Sequence, residues 1–186
     1  IQSYANITAE SFNIQANTTS VNVGTISATT GAVALTSAGA ITLNGDITTS
    51  GTSVDLTGAV ILGDDLVVTT SNGDVTVVGA IAGASKSLAI NAGTGTVDID
   101  AVSAVSSMDI DAVTVTTGGD ISIAGTTQID ATTLNLNNNI TSADDVTINA
   151  AIAVGADVSV DASANNKDIS LTGGVSGTNN LTLDTG

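Results

Sequence analysis

The sequence predicts an all-β chain wound as a β-solenoid, a parallel β-helix of about eight stacked coils of roughly 21 to 25 residues each. Three observations predict it. An apolar–x–apolar triplet recurs along the whole chain. Aromatic residues make up only 1% of the composition. A small residue, most often glycine, follows many of the triplets at one fixed offset.

The triplets begin with Phe12-Ile14, Val21-Val23, Val33-Leu35 and Ile41-Leu43, and continue to Ile169-Leu171 and Leu181-Leu183. Alternation of period two is the mark of a strand with one buried face, and the abundance of Val, Ile and Thr excludes a helical reading. Every second triplet starts at Phe12, Val33, Val54, Val75, Val97, Ile121, Val146 and Ile169. The spacing is 21 residues at first and reaches 25 later, which predicts corner insertions beyond residue 97 and places any specific function there. Val113-Val115 falls between two of these triplets as an extra one. Each coil is expected to hold two or three short strands with alternate side chains inward, and no coil buries its apolar face until it is stacked on another.

The small residue is Gly45, Gly58, Gly79 or Gly173 in four repeats, Asn138 in another and Ala150 in another. Glycine is expected at corners with positive φ, asparagine is the next best residue there, and Ala150 fits that geometry less well.

Composition narrows function. Tyr4 and Phe12 are the only aromatic residues, so the core is built from many thin aliphatic layers. The net charge is -16 and the only basic side chains are Lys86 and Lys167, which excludes nucleic acid and anionic membrane surfaces as partners. The absence of cysteine rules out disulfides and thiolate metal sites and is compatible with secretion. The apolar run Val77 to Ala84 is too short for membrane insertion. The chain starts at Ile1 and is read as a single solenoid domain, 1–186, either a segment of a longer rod or a filament subunit. Neither end carries a recognisable cap helix, and NNLTLDTG is still a repeat strand, so the expected partners are further coils of a longer chain or other copies stacked on the ends.

The stretch from Ala38 to Ala101 includes GDITTSG, VDLTGAVILG, TTSNGDVTVVGAI and LAINAGTGTV. It resembles the β-strand-repeat regions of large secreted bacterial surface proteins, the filamentous-haemagglutinin-like adhesins and related autotransporter passengers. The looser rhythm of the remainder extends the resemblance over most of the chain. It implies a right-handed parallel β-helix, export to the bacterial cell surface and an elongated stalk, and it supplies no catalytic residues. No match to the amino-terminal secretion domain or the carboxy-terminal membrane barrel of such proteins is visible.

The candidate chemistry is carboxylate chemistry. Asp98 with Asp100, and Asp109 with Asp111, lie two apart on one strand face, but a sugar hydrolase also needs a cleft and usually aromatic platforms. These pairs are therefore read as a solvated outer face and no enzyme is expected. Asp74, Asp120, Asp145 and Asp168 each precede a triplet, with Thr96 in the equivalent place between, and Asp65 and Asp157 do the same at the second triplet. In the register above, Asp120, Asp145 and Asp168 form a column with a spacing of about 4.8 Å. Such a column needs corner N–H groups, protonation or a cation to offset repulsion, and calcium is the candidate cofactor, with Asp144 and Asp64 widening the site. Asx-type bonding to local backbone is the competing role. The sequons at Asn6, Asn17, Asn139 and Asn180 are attributed to composition, and the mixed outward columns argue against ice binding. The expected function is a structural shaft of a secreted adhesin or matrix protein. A self-assembling extracellular filament subunit is the alternative, followed by a glycan-active β-helix enzyme.

Overall fold

A computed structural model describes residues 1–17 and 19–186. Its 23 strands form one parallel sheet coiled into a β-solenoid of about nine turns, one more than the sequence suggests. Among the described residues the one helical element is a single 3-10 turn at Ser163–Asn165.

Each coil has three faces, here called A, B and C in chain order. The strands Gln2–Tyr4, Ile7–Ala9 and Phe12–Ala16 start the three faces. Face C stacks Phe12, Val33, Val54, Val75, Val97, Val115, Leu134, Ile152 and Val175 in one column of paired residues. Face A runs from Gln2 through Val21, Ile41, Val60, Ile81, Val102, Ile121 and Ile140. Face B runs from Ile7 through Ile26 and Ile47, then from Leu88 through Met108, Thr127 and Val146 to Ile169.

This register corrects the one read from the triplets. Val97 pairs with Val115, the triplet taken as extra, and Ile121 belongs to face A. The coils therefore shorten after residue 97, to 18 residues from Val97 to Val115 and 19 from Val115 to Leu134. They lengthen to 23 only at the last coil, from Ile152 to Val175. The stretch 108–154 keeps coils of 18 or 19 residues, with one register shift between Asp130 and Thr133. The error has a physical source: several inward positions hold Ala28, Thr49, Thr127 or Ser142, so those strands lack the apolar–x–apolar signature.

Inward hydroxyls are tolerated because corner carbonyls accept from them. Thr70 Oγ1 donates to the Gly73 carbonyl and Thr49 Oγ1 to the Thr52 carbonyl, both at 2.5 Å. Ser37 Oγ donates to the Thr19 carbonyl at 2.8 Å. Among the described residues no buried side-chain nitrogen or oxygen lacks a partner. Unpaired polar atoms there would each cost about 1–3 kcal/mol.

Gly58 and Gly79 occupy consecutive C-to-A corners at φ +127° and +123°, as predicted. A Cβ on Gly79 would lie 2.5 Å from the Gly58 carbonyl oxygen. Gly45 and Gly173 do not have positive φ; they are small because the backbone of the preceding coil passes against them. Ala150 is an ordinary buried strand residue. Gly79→Ala is expected to destabilise by about 1–3 kcal/mol, read as a lower urea midpoint. Gly174→Ala, which would meet nothing within 4 Å, should leave the midpoint in place.

Candidate functional site in the corner columns

The strand ladder satisfies backbone groups along the faces, but where the chain turns a corner some N–H groups point away from the neighbouring coil's carbonyls. Short polar side chains supply the missing acceptors. Asp46 Oδ1 accepts from the Val67 N–H one coil later at 2.9 Å, and Asp65 Oδ1 accepts from the Ser87 N–H at 2.9 Å. Asp74 accepts from Thr96 at 2.8 Å, Asp120 from Asn139 at 3.0 Å, and Asn139 in turn from Ser159 at 2.8 Å. Asp145 accepts from Asp168 at 3.1 Å and Asp157 from Asn180 at 2.8 Å. The separations are 19 to 23 residues, so these bonds join successive coils and are not the local Asx turns anticipated from sequence. Asp74 and Thr96 are stacked neighbours, as expected.

The predicted column of three carboxylates is not formed. Asp145 and Asp168 are adjacent, one before Val146 and Ile169 on face B. Asp120 precedes Ile121 on face A and stacks on Asn139. Below Asp145 the same column holds Thr126, Ser107 and Ser87 before the next carboxylate, Asp65, because Val146, Thr127, Met108, Leu88 and Leu66 pair in turn. The Asp168 N–H, donated to Asp145 Oδ1 at 3.1 Å, offsets part of the repulsion between the two carboxylates. Among the described residues no group of three metal-ligating side chains is arranged to hold an ion.

The two lysines repeat one device. Lys86 Nζ lies 3.4 Å from Asp64 Oδ1 and Lys167 Nζ lies 2.9 Å from Asp144 Oδ1, each bridging one coil at the A-to-B corner. In both cases the second aspartate of the Asp-Asp pair, Asp65 or Asp145, accepts the N–H of the residue after the lysine. The repeat was legible as Asp-Asp followed by Lys after 22 or 23 residues, a spacing that becomes meaningful only once the coil length is known. Asp100 was missed as a corner acceptor; its Oδ2 takes the Gly79 N–H at 2.7 Å.

Hydrogen bonding sets most of the shifted carboxyls. The Ser87 N–H and hydroxyl hold Asp65 below the usual carboxylate range. Lys167 and the Asp145 N–H do the same for Asp144, and Gln128 and Asn149 for Asp130. Folding lowers these values, so their stabilisation is present above the unfolded value of about 3.9 and is lost as pH falls through the folded value. Asp109 is opposite: desolvation, then the charges of Asp130 and Asp111, raise it. Asp111 and Asp130 are stacked neighbours on face B, and Asp109 stands two residues along the same strand from Asp111.

The sequons have a structural origin. Asn6, Asn139 and Asn180 occupy corners, the next residue starts a strand on the inward side, and the threonine after it faces outward. The Asn17 sequon runs through residue 18, outside the described residues. Asp98 faces outward between Thr76 and Thr116. No protein-family model, curated protein or solved structure matches this chain.

Two outcomes are expected. Asp109→Asn should raise the melting temperature at pH 7, with the gain shrinking as pH falls through the raised folded value of Asp109 and gone below the unfolded value of about 3.9, where the carboxyl is protonated in both states. Thermal melts in calcium and in chelator, at matched ionic strength, should coincide, because the Asp145 carboxylate already accepts a backbone donor; a calcium-dependent rise would show that the column holds the ion.

Proposed function

We propose that the chain is a structural shaft, a stiff spacer within a secreted surface adhesin or extracellular matrix protein of bacterial type. The observation that carries this reading is continuity. Three parallel ladders and one aliphatic core run through about nine coils without a break, and side-chain acceptors bridge coils at all three corners. Bending such a rod would open several hydrogen bonds of a face together, which makes it a spacer of fixed length rather than a flexible tether. The acidic surface favours solubility and mutual repulsion of neighbouring shafts. The resemblance of residues 38–101 to adhesin repeat regions supports the extracellular setting.

The test is to place the chain between two folded reporter domains and measure their separation by small-angle scattering. The rod should hold them apart by about 45 Å, nine coils at about 4.8 Å, independent of ionic strength. A broad, salt-dependent distribution of distances would overturn the proposal.

A further inference from the structure

Of the asparagines in the chain, only Asn44 and Asn72 are followed by glycine, and both stand in the same tripeptide, Asn-Gly-Asp. The first turns the A-to-B corner between Leu43 and Ile47, and the second turns the B-to-C corner between Thr69 and Val75. The aspartate has the same task in each. Asp46 Oδ1 accepts the Val67 N–H at 2.9 Å and Asp74 Oδ1 accepts the Thr96 N–H at 2.8 Å, both one coil later.

The two asparagines are held differently. Asn44 is clamped to the coil beneath it. Its backbone N–H donates to the Val23 carbonyl at 2.8 Å. Its Nδ2 donates to Asn22 Oδ1 and, at 3.3 Å, to the Val23 carbonyl. Asn72 is tied through its oxygen instead, since Oδ1 accepts the Thr94 N–H of the next coil at 3.0 Å. Ser71 and Asn72 are consecutive left-handed residues, at φ 52° and 99°, and both are exposed. That conformation is costly for a residue with a Cβ. The Gly73 N–H closes the turn on the Thr70 carbonyl over a long 3.4 Å.

We propose that Asn72–Gly73 is a site of spontaneous deamidation in the folded rod, and that Asn44–Gly45 is protected from the same reaction. The Gly73 nitrogen gives its proton to water or hydroxide and attacks Asn72 Cγ. A bond forms between that nitrogen and Cγ, the bond from Cγ to Nδ2 breaks, and Nδ2 takes a proton from water and leaves as ammonia. Water then opens the five-membered succinimide. Opening at Cγ gives aspartate in the ordinary chain, and opening at the main-chain carbonyl gives isoaspartate. Water is the only co-reactant, and nothing is oxidised or reduced.

The structure favours this at one corner and hinders it at the other. Glycine lacks a Cβ, so the attacking nitrogen is unshielded in both tripeptides. At Asn72 the Thr94 N–H draws electrons from Cγ and stabilises the negative charge that develops on Oδ1 as the nitrogen adds. At Asn44 the side-chain amide must first be released from two acceptors on the preceding coil, which raises the barrier.

The product fits the rod. An aspartate at position 72 keeps an oxygen for the Thr94 N–H, the role that carboxylates already fill at Asp46, Asp65 and Asp74. Isoaspartate adds a main-chain methylene at a corner, where coil length already varies. The rod therefore gains negative charge with age and keeps its stacking. The chemistry is independent of the shaft reading.

The test is to incubate the intact, folded chain at mildly alkaline pH and follow both tripeptides by peptide mapping, with fragmentation that separates isoaspartate from aspartate. A denatured sample runs in parallel. In the folded chain Asn72 should convert to both products, with Asn44 slower by about tenfold. In denaturant the two should convert at similar rates, because the tripeptide is the same. Asn22→Ala removes an acceptor from the Asn44 amide, so it should speed conversion at Asn44 and leave Asn72 unchanged. Asn72→Asp should melt within a degree or two of the parent chain. An unconverted Asn72, or an Asn44 that converts as fast in the folded chain, would overturn the proposal. An Asn22→Ala chain with no faster conversion at Asn44 would overturn the protection.

Discussion

Everything in this molecule depends on the parallel hydrogen-bond ladder from one coil to the next. A single turn of this chain has no core and no paired backbone. Stacking supplies both at once, since the contact that pairs the N–H and C=O groups of a face also puts Val54 over Val33 and Val75 over Val54. The ladder is interrupted only where the chain turns. The demand for acceptors at those corners explains why aspartate and asparagine so often stand immediately before a strand.

The corner bonds also change the meaning of the net charge. Many carboxylates are not free surface charges but acceptors for backbone N–H groups of the next coil, as at Asp65, Asp74, Asp120 and Asp157. Coil-to-coil repulsion is limited because a carboxylate is usually stacked on Ser, Thr or Asn, and the Asp145–Asp168 contact is bridged by an N–H. Like charges also meet where Asp161 stacks on Asp184 and where Asp111 stacks on Asp130 on face B, and Asp109, beside the latter pair, has its carboxyl raised, first by desolvation and then by those two charges. The two lysines sit at one type of corner, each against the first residue of an Asp-Asp pair, so the scarce positive charge ties successive coils together.

The triplets made the architecture legible because period-two burial leaves a direct trace in the residues. The strands of the first face-C column, from Phe12 to Val97, were assigned correctly in register. Beyond Val97 the assignment slipped, because Val113-Val115 looked superfluous while strands with inward Thr127 or Ser142 were invisible to an apolar pattern. The same slip placed Asp120 in a column with Asp145 and Asp168. The chemistry of the candidate site was foreseen in kind, since corner N–H groups were among the offsets considered. Its partners were not, because a hydrogen bond across 19 to 23 residues requires the coil length to be right to the residue.

The sequence by itself determined the parallel solenoid and the aliphatic core. Those properties follow from composition and short-range alternation, which every repeat states again. Only the tertiary structure decided that the coil is three-sided, that successive coils vary from 18 to 23 residues, and which aspartate stands above which residue. Stacking sums the lengths of corners that have no sequence signature of their own. A difference of one or two residues at each corner decides whether two side chains twenty positions apart become neighbours or lie on different faces.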